Sequence, residues 1–217
     1  RSYEDRRNAE RDRQAEQSLA GRDIGPLPEV VNPNRKAACE RNFQLFCESY
    51  FPETYSLAWS PDHLKVIEKI ETAVLRGGLF ALALPRGSGK TTITESAALW
   101  SMLYGHREFV VLIGATESAA LELLDSLKTE LEVNERLAED FPEVCYPVAQ
   151  LEGIANRCAG QLYKGERTRI TWTSNEIVLP TVEGSRASGI IVRVAGITGR
   201  IRGMKFKRSD GRSVRPS

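Results

Sequence analysis

Six apolar residues, Leu79-Phe-Ala-Leu-Ala-Leu84, run directly into Pro85-Arg-Gly-Ser-Gly-Lys-Thr91 and then into a helix-period stretch, and this succession constrains the fold most. A run apolar on both faces suits a strand in the middle of a parallel sheet, covered on two sides. The stretch from Lys90 to about Tyr104 reads as a helix that Gly105 closes. Phe109-Val-Val-Leu-Ile113 is a second two-sided run, and the helix after it sets Ala120, Leu121, Leu124, Leu127 and Leu131 on one stripe. Strand, helix, strand, helix at this spacing predicts a βαβ unit with a right-handed crossover, and so an α/β fold with a mostly parallel sheet.

Upstream, Ser60-Pro61 pairs an N-cap with proline at the first helical position, and Leu64, Ile67, Ile70 and Val74 keep the helical rhythm until Gly77-Gly78. Lys36 to Tyr50 carries Ala37, Cys39, Phe43, Leu45, Phe46 and Cys47 at mostly helical spacing, which predicts a core-facing helix. Gly21 to Pro33 reads as a linker, and Arg1 to Glu16 alternates arginines and acids with almost nothing apolar. Beyond Pro142 the pattern suggests a short helix near Leu151 to Leu162. A hairpin of Thr168 to Thr173 with Glu176 to Leu179 follows, then a third strand at Ile190 to Val194. The expected division is 1–34 polar lead-in and linker, 35–78 helical N-terminal subregion and 79–217 a partial α/β core that opens on the glycine-containing loop.

Several classes fall away. The six-residue run is far short of the eighteen or so residues a membrane span needs, and the polar, Arg-rich N-terminus has no apolar signal core. A soluble protein with no membrane partner is expected. Cys39, Cys47, Cys145 and Cys158 contain no CxxC pair and are joined by only two histidines, which gives neither a disulfide framework nor a zinc spacing; buried thiols are expected. The net charge of +1 hides an uneven distribution: Glu117 to Glu143 holds nine acids against Lys128 and Arg136, whereas Arg186 to Arg215 holds nine basic residues against Asp210. Such a basic stretch suits a polyanion, and equally a solvated edge or loop.

The chemistry lies between the first strand and its helix. Leu84-Pro-Arg-Gly-Ser-Gly-Lys-Thr91 matches the phosphate-binding pattern GxxxxGK[ST] except that Leu84 stands at the first glycine. Such a loop turns successive backbone N–H groups toward phosphate oxygens at the positive end of the next helix. Gly87, Ser88 and Gly89 would form the cradle, with Thr92 behind it. Lys90 would meet the β and γ phosphates of ATP, and the Thr91 hydroxyl would ligate Mg²⁺. Arg86, four residues before Lys90, would contact the γ-phosphate in the transition state or else pair with a neighbouring acid. A bare Gly-Lys-[Ser/Thr] triplet arises by chance in about one chain in ten of this length, so the strand-loop-helix setting carries the assignment. Hydrolysis also needs four apolar residues ending in an Asp that holds Mg²⁺. Nothing after Lys90 supplies one: Phe109 to Ile113 leads to Gly114-Ala115-Thr116, Ile190 to Val194 to Ala195-Gly196, and Val178-Leu179 to Pro180. These 217 residues alone are therefore expected to turn over ATP poorly or not at all.

The segments SPDHLKVIEKIETAVLRGGLFALALPRGSGKTT, ALWSMLYGHREFVVLIGATESAA, KTELEVNERLAEDFPEV, QLYKGERTRITW, GITGRIRGM and DGRSVRP together resemble the large terminase subunit of tailed bacteriophages. The likeness covers most of residues 25 to 217, and a loop with its first glycine replaced and an arginine four positions before the lysine is typical of that family. The resemblance implies a RecA-like P-loop NTPase domain of the additional-strand type. It drives double-stranded DNA into a preformed capsid as a ring of like subunits, with the portal protein and the small terminase subunit as partners, in the host cytoplasm. It further implies that the Asp-ending strand directly follows a stretch like DGRSVRP, with a metal-dependent nuclease domain beyond it. The chain therefore looks cut short before both. Carried over by residue, Lys90 and Arg86 become the catalytic pair, residues 86 to 92 the nucleotide cradle, and Trp59 to His63 the adenine side. Arg193, Arg200, Arg202, Lys205, Lys207 and Arg208 suit DNA phosphates, with no base reading. A helicase or DNA-repair ATPase, or a non-catalytic prophage remnant, fits the same strand-helix order.

Overall fold

The computed structural model describes residues 7, 8, 10, 11, 13, 21–81, 83–197, 204–208 and 211–216. Helix α1 (Pro33–Cys39) starts where the Asn32 side chain accepts from Arg35 N, and α2 (Phe43–Tyr50) where Asn42 accepts from Leu45 N. The single helix expected from Lys36 to Tyr50 is thus two. An asparagine carbonyl at position 42 offers the backbone a competing acceptor, and the chain restarts there. Helix α3 (Pro61–Arg76) begins on Ser60 and stops at Gly77, whose φ of 86° is left-handed, as its punctuation predicts.

Helix α4 (Lys90–Leu103) is the centre of the molecule, buried at Ile93 and continuously from Ser96 to Leu103. Its far end is tied to α1: Trp100 Nε1 donates to the Cys39 carbonyl at 2.9 Å and Tyr104 OH to the Lys36 carbonyl at 2.7 Å. Strand β1 (Phe109–Gly114) and α5 (Glu117–Val133) follow, the latter capped by Thr116 and burying Ala120, Leu124, Leu127 and Leu131 of the predicted stripe. Two helices the periodicity does not announce come next, α6 (Glu135–Asp140) and α7 (Pro142–Ala149). Pro142 opens α7 instead of barring it, because the first helical position needs no N–H. The helix expected near Leu151 to Leu162 is only a 3₁₀ turn at Ala155–Gly160.

Short strands β2 (Leu162–Tyr163) and β3 (Glu166–Arg167) pair antiparallel; β4 (Thr171–Trp172), β5 (Glu176–Val178) and β6 (Ile191–Gly196) then join β1. The order is β1-β6-β5-β4, with β1 and β6 parallel from Phe109 opposite Ile191 to Gly114 opposite Gly196, and the other two pairings antiparallel. The sheet is therefore mixed, not mostly parallel. The loops joining β4 to β5 and β5 to β6 contain no helix to carry the chain back across the sheet, so each reverses direction. A last hairpin, β7 (Phe206–Lys207) with β8 (Ser213–Val214), closes the described chain.

The strand expected at Leu79–Leu84 is not formed among the described residues. Leu79 is fully exposed at 102% and Phe80 is 43% exposed, its ring turned back beneath the Lys69 ammonium of α3 at 5.4 Å. Two-sided apolarity fits a strand only where a neighbour supplies the ladder. β1 stands at the end of the sheet order and pairs only with β6, and among the described residues this run does not take up its other edge. The expected βαβ unit accordingly gives way to a parallel pair joined through α5, α6, α7 and the β4-β5 hairpin.

One apolar core extends from Cys39 to Val192 and takes in α2, α4, α5, α7 and one face of the sheet; a smaller cluster of Phe109, Val178, Ile191 and Val214 fills the other face. Asp140 is wholly buried, yet it accepts from Arg35 Nε at 2.6 Å, Tyr50 OH at 2.8 Å and Asn32 N at 3.0 Å, which locks α1, α2 and α6 together. Burial pushes its carboxyl pKa up, and these donors outweigh that and hold it below the ordinary value. Cys39, Cys47 and Cys145 are free buried thiols, as expected, and Cys158 is partly buried; burial raises Cys145 to about 12. Among the described residues no helix is long and apolar enough to cross a membrane.

Candidate functional site

The loop from Leu84 to Gly89 makes the tight turn its composition asks for, with φ of 78° at Gly87 and 73° at Gly89. Both values lie where side chains other than glycine are strained, and a Cβ built on either residue meets nothing within 4 Å, so the concave surface is open. Ser88 Oγ donates to the Pro85 carbonyl at 2.8 Å and closes the turn. Helix α4 then starts on Gly89 without a side-chain cap, as α7 does on Phe141, whereas α1, α2, α3, α5 and α6 are capped by Asn32, Asn42, Ser60, Thr116 and Asn134. Among the described residues nothing accepts from the N–H groups of Gly87, Ser88 and Gly89. Unsatisfied donors at the positive end of a helix are what an anion requires.

The charged side chains around this turn differ in how far they are committed. Lys90 Nζ donates to the Leu84 carbonyl and, at 3.3 Å, to that of Pro85, so its ammonium rests over the mouth of the loop on weak neutral acceptors that a phosphate would displace. Arg86 is exposed and no described residue pairs with it, which leaves its guanidinium disposable. The Thr91 hydroxyl makes no hydrogen bond to a described residue, unlike that of Thr94, which returns to the Lys90 carbonyl at 2.9 Å. Thr92 is half-buried behind the first turn. Beneath the loop lies a cavity of about 270 Å³ lined by Val66, Leu84, Lys90, Thr91, Ile93, Thr94 and Leu123. A larger one of about 630 Å³, between Gly21–Ile24 and the 150–161 segment, shares no residue with it.

Open glycines, free donors, a lysine over the mouth and an uncommitted threonine hydroxyl fit a polyphosphate with its Mg²⁺. No described cluster of three or more His, Cys, Asp or Glu offers an independent metal site. β1 and β6 end in Gly114 and Gly196, and neither carries an acid at its C-terminal end, as the sequence indicates.

The segment Trp59 to His63 does reach the loop. His63 Nε2 lies 3.0 Å from the Ser88 carbonyl oxygen. Trp59 Nε1 is spent on Glu48 Oε1 at 2.7 Å, and its ring meets Tyr55 at 4.9 Å and His63 at 6.0 Å between centroids. Sequence reasoning missed Tyr55, whose OH bonds Ser96 Oγ of α4 at 2.8 Å, and Glu95, one turn beyond Thr91. Burial pushes the Glu95 carboxyl pKa up, Ser126 opposes this, and Glu130 adds to it. Neither residue has a signal in sequence, because both matter only through helices that fold beside them.

The basic stretch divides. Arg193 is paired with Glu176 and lies between the rings of Phe109 and Phe206, Arg208 bonds Glu108 at 3.1 Å and the Ser188 carbonyl at 2.6 Å, and Arg186 is paired with Glu40. These three arginines are fastened into the fold. Lys205 and Lys207 are exposed. Arg200 and Arg202 lie outside the described residues. Compared with protein-family models, curated proteins and solved structures, the chain matches none.

Proposed function

We propose that the chain binds ATP with Mg²⁺ through residues 86 to 92 and is the nucleotide-binding part of a motor ATPase of the kind that packages double-stranded DNA into viral capsids. The observation that carries nucleotide binding is the uncapped start of α4, where left-handed Gly87 and Gly89 present free N–H groups beside Lys90 and Thr91. The packaging role rests on the resemblance of residues 25 to 217 to large terminase subunits. With it come the ring assembly, the portal and small-subunit partners, and the DNA contacts of Lys205 and Lys207. In this reading the Gly87 to Gly89 amides and Lys90 hold the β and γ phosphates, Arg86 meets charge developing on the γ-phosphate, and the Thr91 hydroxyl takes one Mg²⁺ position. Bound Mg²⁺ would neutralise charge on the polyphosphate.

A thermal-shift titration with Mg-ATP tests it. At a hundredfold excess over Kd, ligand stabilises by about 2.7 kcal/mol, roughly 5–10 °C in Tm for a chain of this size. Lys90→Ala is expected to abolish the shift while leaving the ligand-free Tm within about 2 °C, since this lysine is exposed. A wild-type chain that shows no shift overturns the proposal.

A further inference from the structure

Among the described contacts His63 is the one side chain from outside the loop and the helix it opens, α4, that reaches the backbone of the turn, and its hydrogen bonding defines its proton. A carbonyl only accepts, so the 3.0 Å contact to the Ser88 oxygen requires a proton on Nε2. In the neutral ring Nδ1 is then an acceptor, and Ser60 Oγ stands 3.1 Å from it. The same Ser60 oxygen accepts from His63 N at 3.3 Å as the cap of α3. One serine therefore caps the helix and, with its hydroxyl proton, can serve the Nδ1 that the carbonyl contact leaves as acceptor.

The ring is also held in place. The edge of Trp59 meets it at 6.0 Å and 77°, and Trp59 is anchored to Glu48 on α2. Tyr55, tilted against Trp59, bonds Ser96 on α4. Through this frame the Ser88 carbonyl is referred back to α4 by a route independent of the loop itself.

The peptide geometry supplies the consequence. The bond between Ser88 and Gly89 is trans, so the Ser88 C=O and the Gly89 N–H point in opposite directions. Drawing the carbonyl toward His63 turns the Gly89 N–H away from α3, where no described residue accepts from it. Gly89, with its left-handed φ, would otherwise let this peptide plane rotate.

We propose that His63 is a positioning residue for the phosphate loop: its Nε2–H holds the Ser88 carbonyl and thereby fixes the Gly89 N–H as a donor to a polyphosphate oxygen. This rests on the reading of the loop as a polyphosphate site. It differs from the adenine-side role that the family resemblance implies for this segment, because His63 here acts on the phosphates and is indifferent to the base.

The test measures the Kd of the full chain for Mg-ATP and for magnesium tripolyphosphate, which has no base, in wild type, Lys90→Ala, His63→Ala and His63→Gln. His63→Ala is expected to weaken both ligands about five-fold, the worth of one neutral hydrogen bond. His63→Gln, whose amide N–H retains a donor, is expected to recover most of that loss. A loss for ATP alone places His63 at the base and overturns the proposal, as does unchanged binding in His63→Ala while Lys90→Ala binds neither ligand. If wild type binds neither, the reading of the loop falls and this inference with it. Histidine-selective ¹⁵N labelling of the wild-type chain reads the same contact without a substitution. Nε2 is expected to carry a proton, and a ring protonated on Nδ1 alone overturns the proposal.

Discussion

Leu79–Leu84 and Phe109–Ile113 are nearly interchangeable as sequence, yet they have opposite fates. The second is β1, paired residue for residue with β6 and covered on one face by the main core at Leu112, 7% exposed, and on the other by the smaller cluster at Phe109, 1% exposed. The first lies outside the sheet with Leu79 bare. Apolar pattern states that a segment has something to bury, whereas a strand also requires its backbone to be paired with a neighbour. The glycine loop hangs from the unpaired run, and the folded elements support it from α3 and α4.

That contrast is open to direct attack. The largest effect is expected from Leu112→Ala, which should cost about 2–5 kcal/mol in urea denaturation by opening the core, against about 0.5 kcal/mol or less for Leu79→Ala. Equal costs would mean that the first run is buried in solution. Hydrogen exchange should agree, with β1 amides protected to near the global limit and those of 79–81 exchanging quickly.

An intermediate effect is expected from pH at the joint that leads into β1. Burial lowers the His106 pKa from its ordinary 6.5, opposed by the hydrogen bond from Nε2 to the Glu40 carbonyl at 2.8 Å. The unfolded chain therefore binds this proton first. His106 contributes fully above about pH 6.5, and its contribution is lost as pH falls through the lower folded value. Urea midpoints between pH 7.5 and 5.5 should fall in wild type and fall less in His106→Asn. Asp140, whose folded pKa also lies below its ordinary value, acts in a separate, more acidic window below pH 3.8. The smallest effect should come from Lys69→Ala, which removes the ammonium over Phe80; about 0.5 kcal/mol is expected, and none if Phe80 does not rest on α3.

Legibility followed the range of the interaction. The bounds of α3, the start of α4, β1, the stripe of α5 and the β4-β5 hairpin could all be read, since caps, glycine stops and periodicity act within a few residues. The glycine turn and its lysine were legible for the same reason. What could not be read depended on distant partners. The mixed sheet follows from which edges remain unpaired, and the contact of His63 with Ser88 crosses 25 positions. Arg193 looked like a free cation until Glu176 and two aromatic rings were folded around it.

Helix α4 has one further mechanical consequence. Its 14 residues make a rod of about 21 Å. The far end is pinned by Trp100 and Tyr104 to two carbonyls of α1, and the near end carries the glycine turn in open solvent. The rod is thus tied to α1 at the tip away from the turn and packed along its middle from Ser96 to Leu103. A tilt of about 5° around those two anchors would sweep the turn through roughly 2 Å, by the rise per residue of an α-helix. A force applied at the turn would be delivered along this rod to α1 and to the Arg35–Asp140 lock beside it.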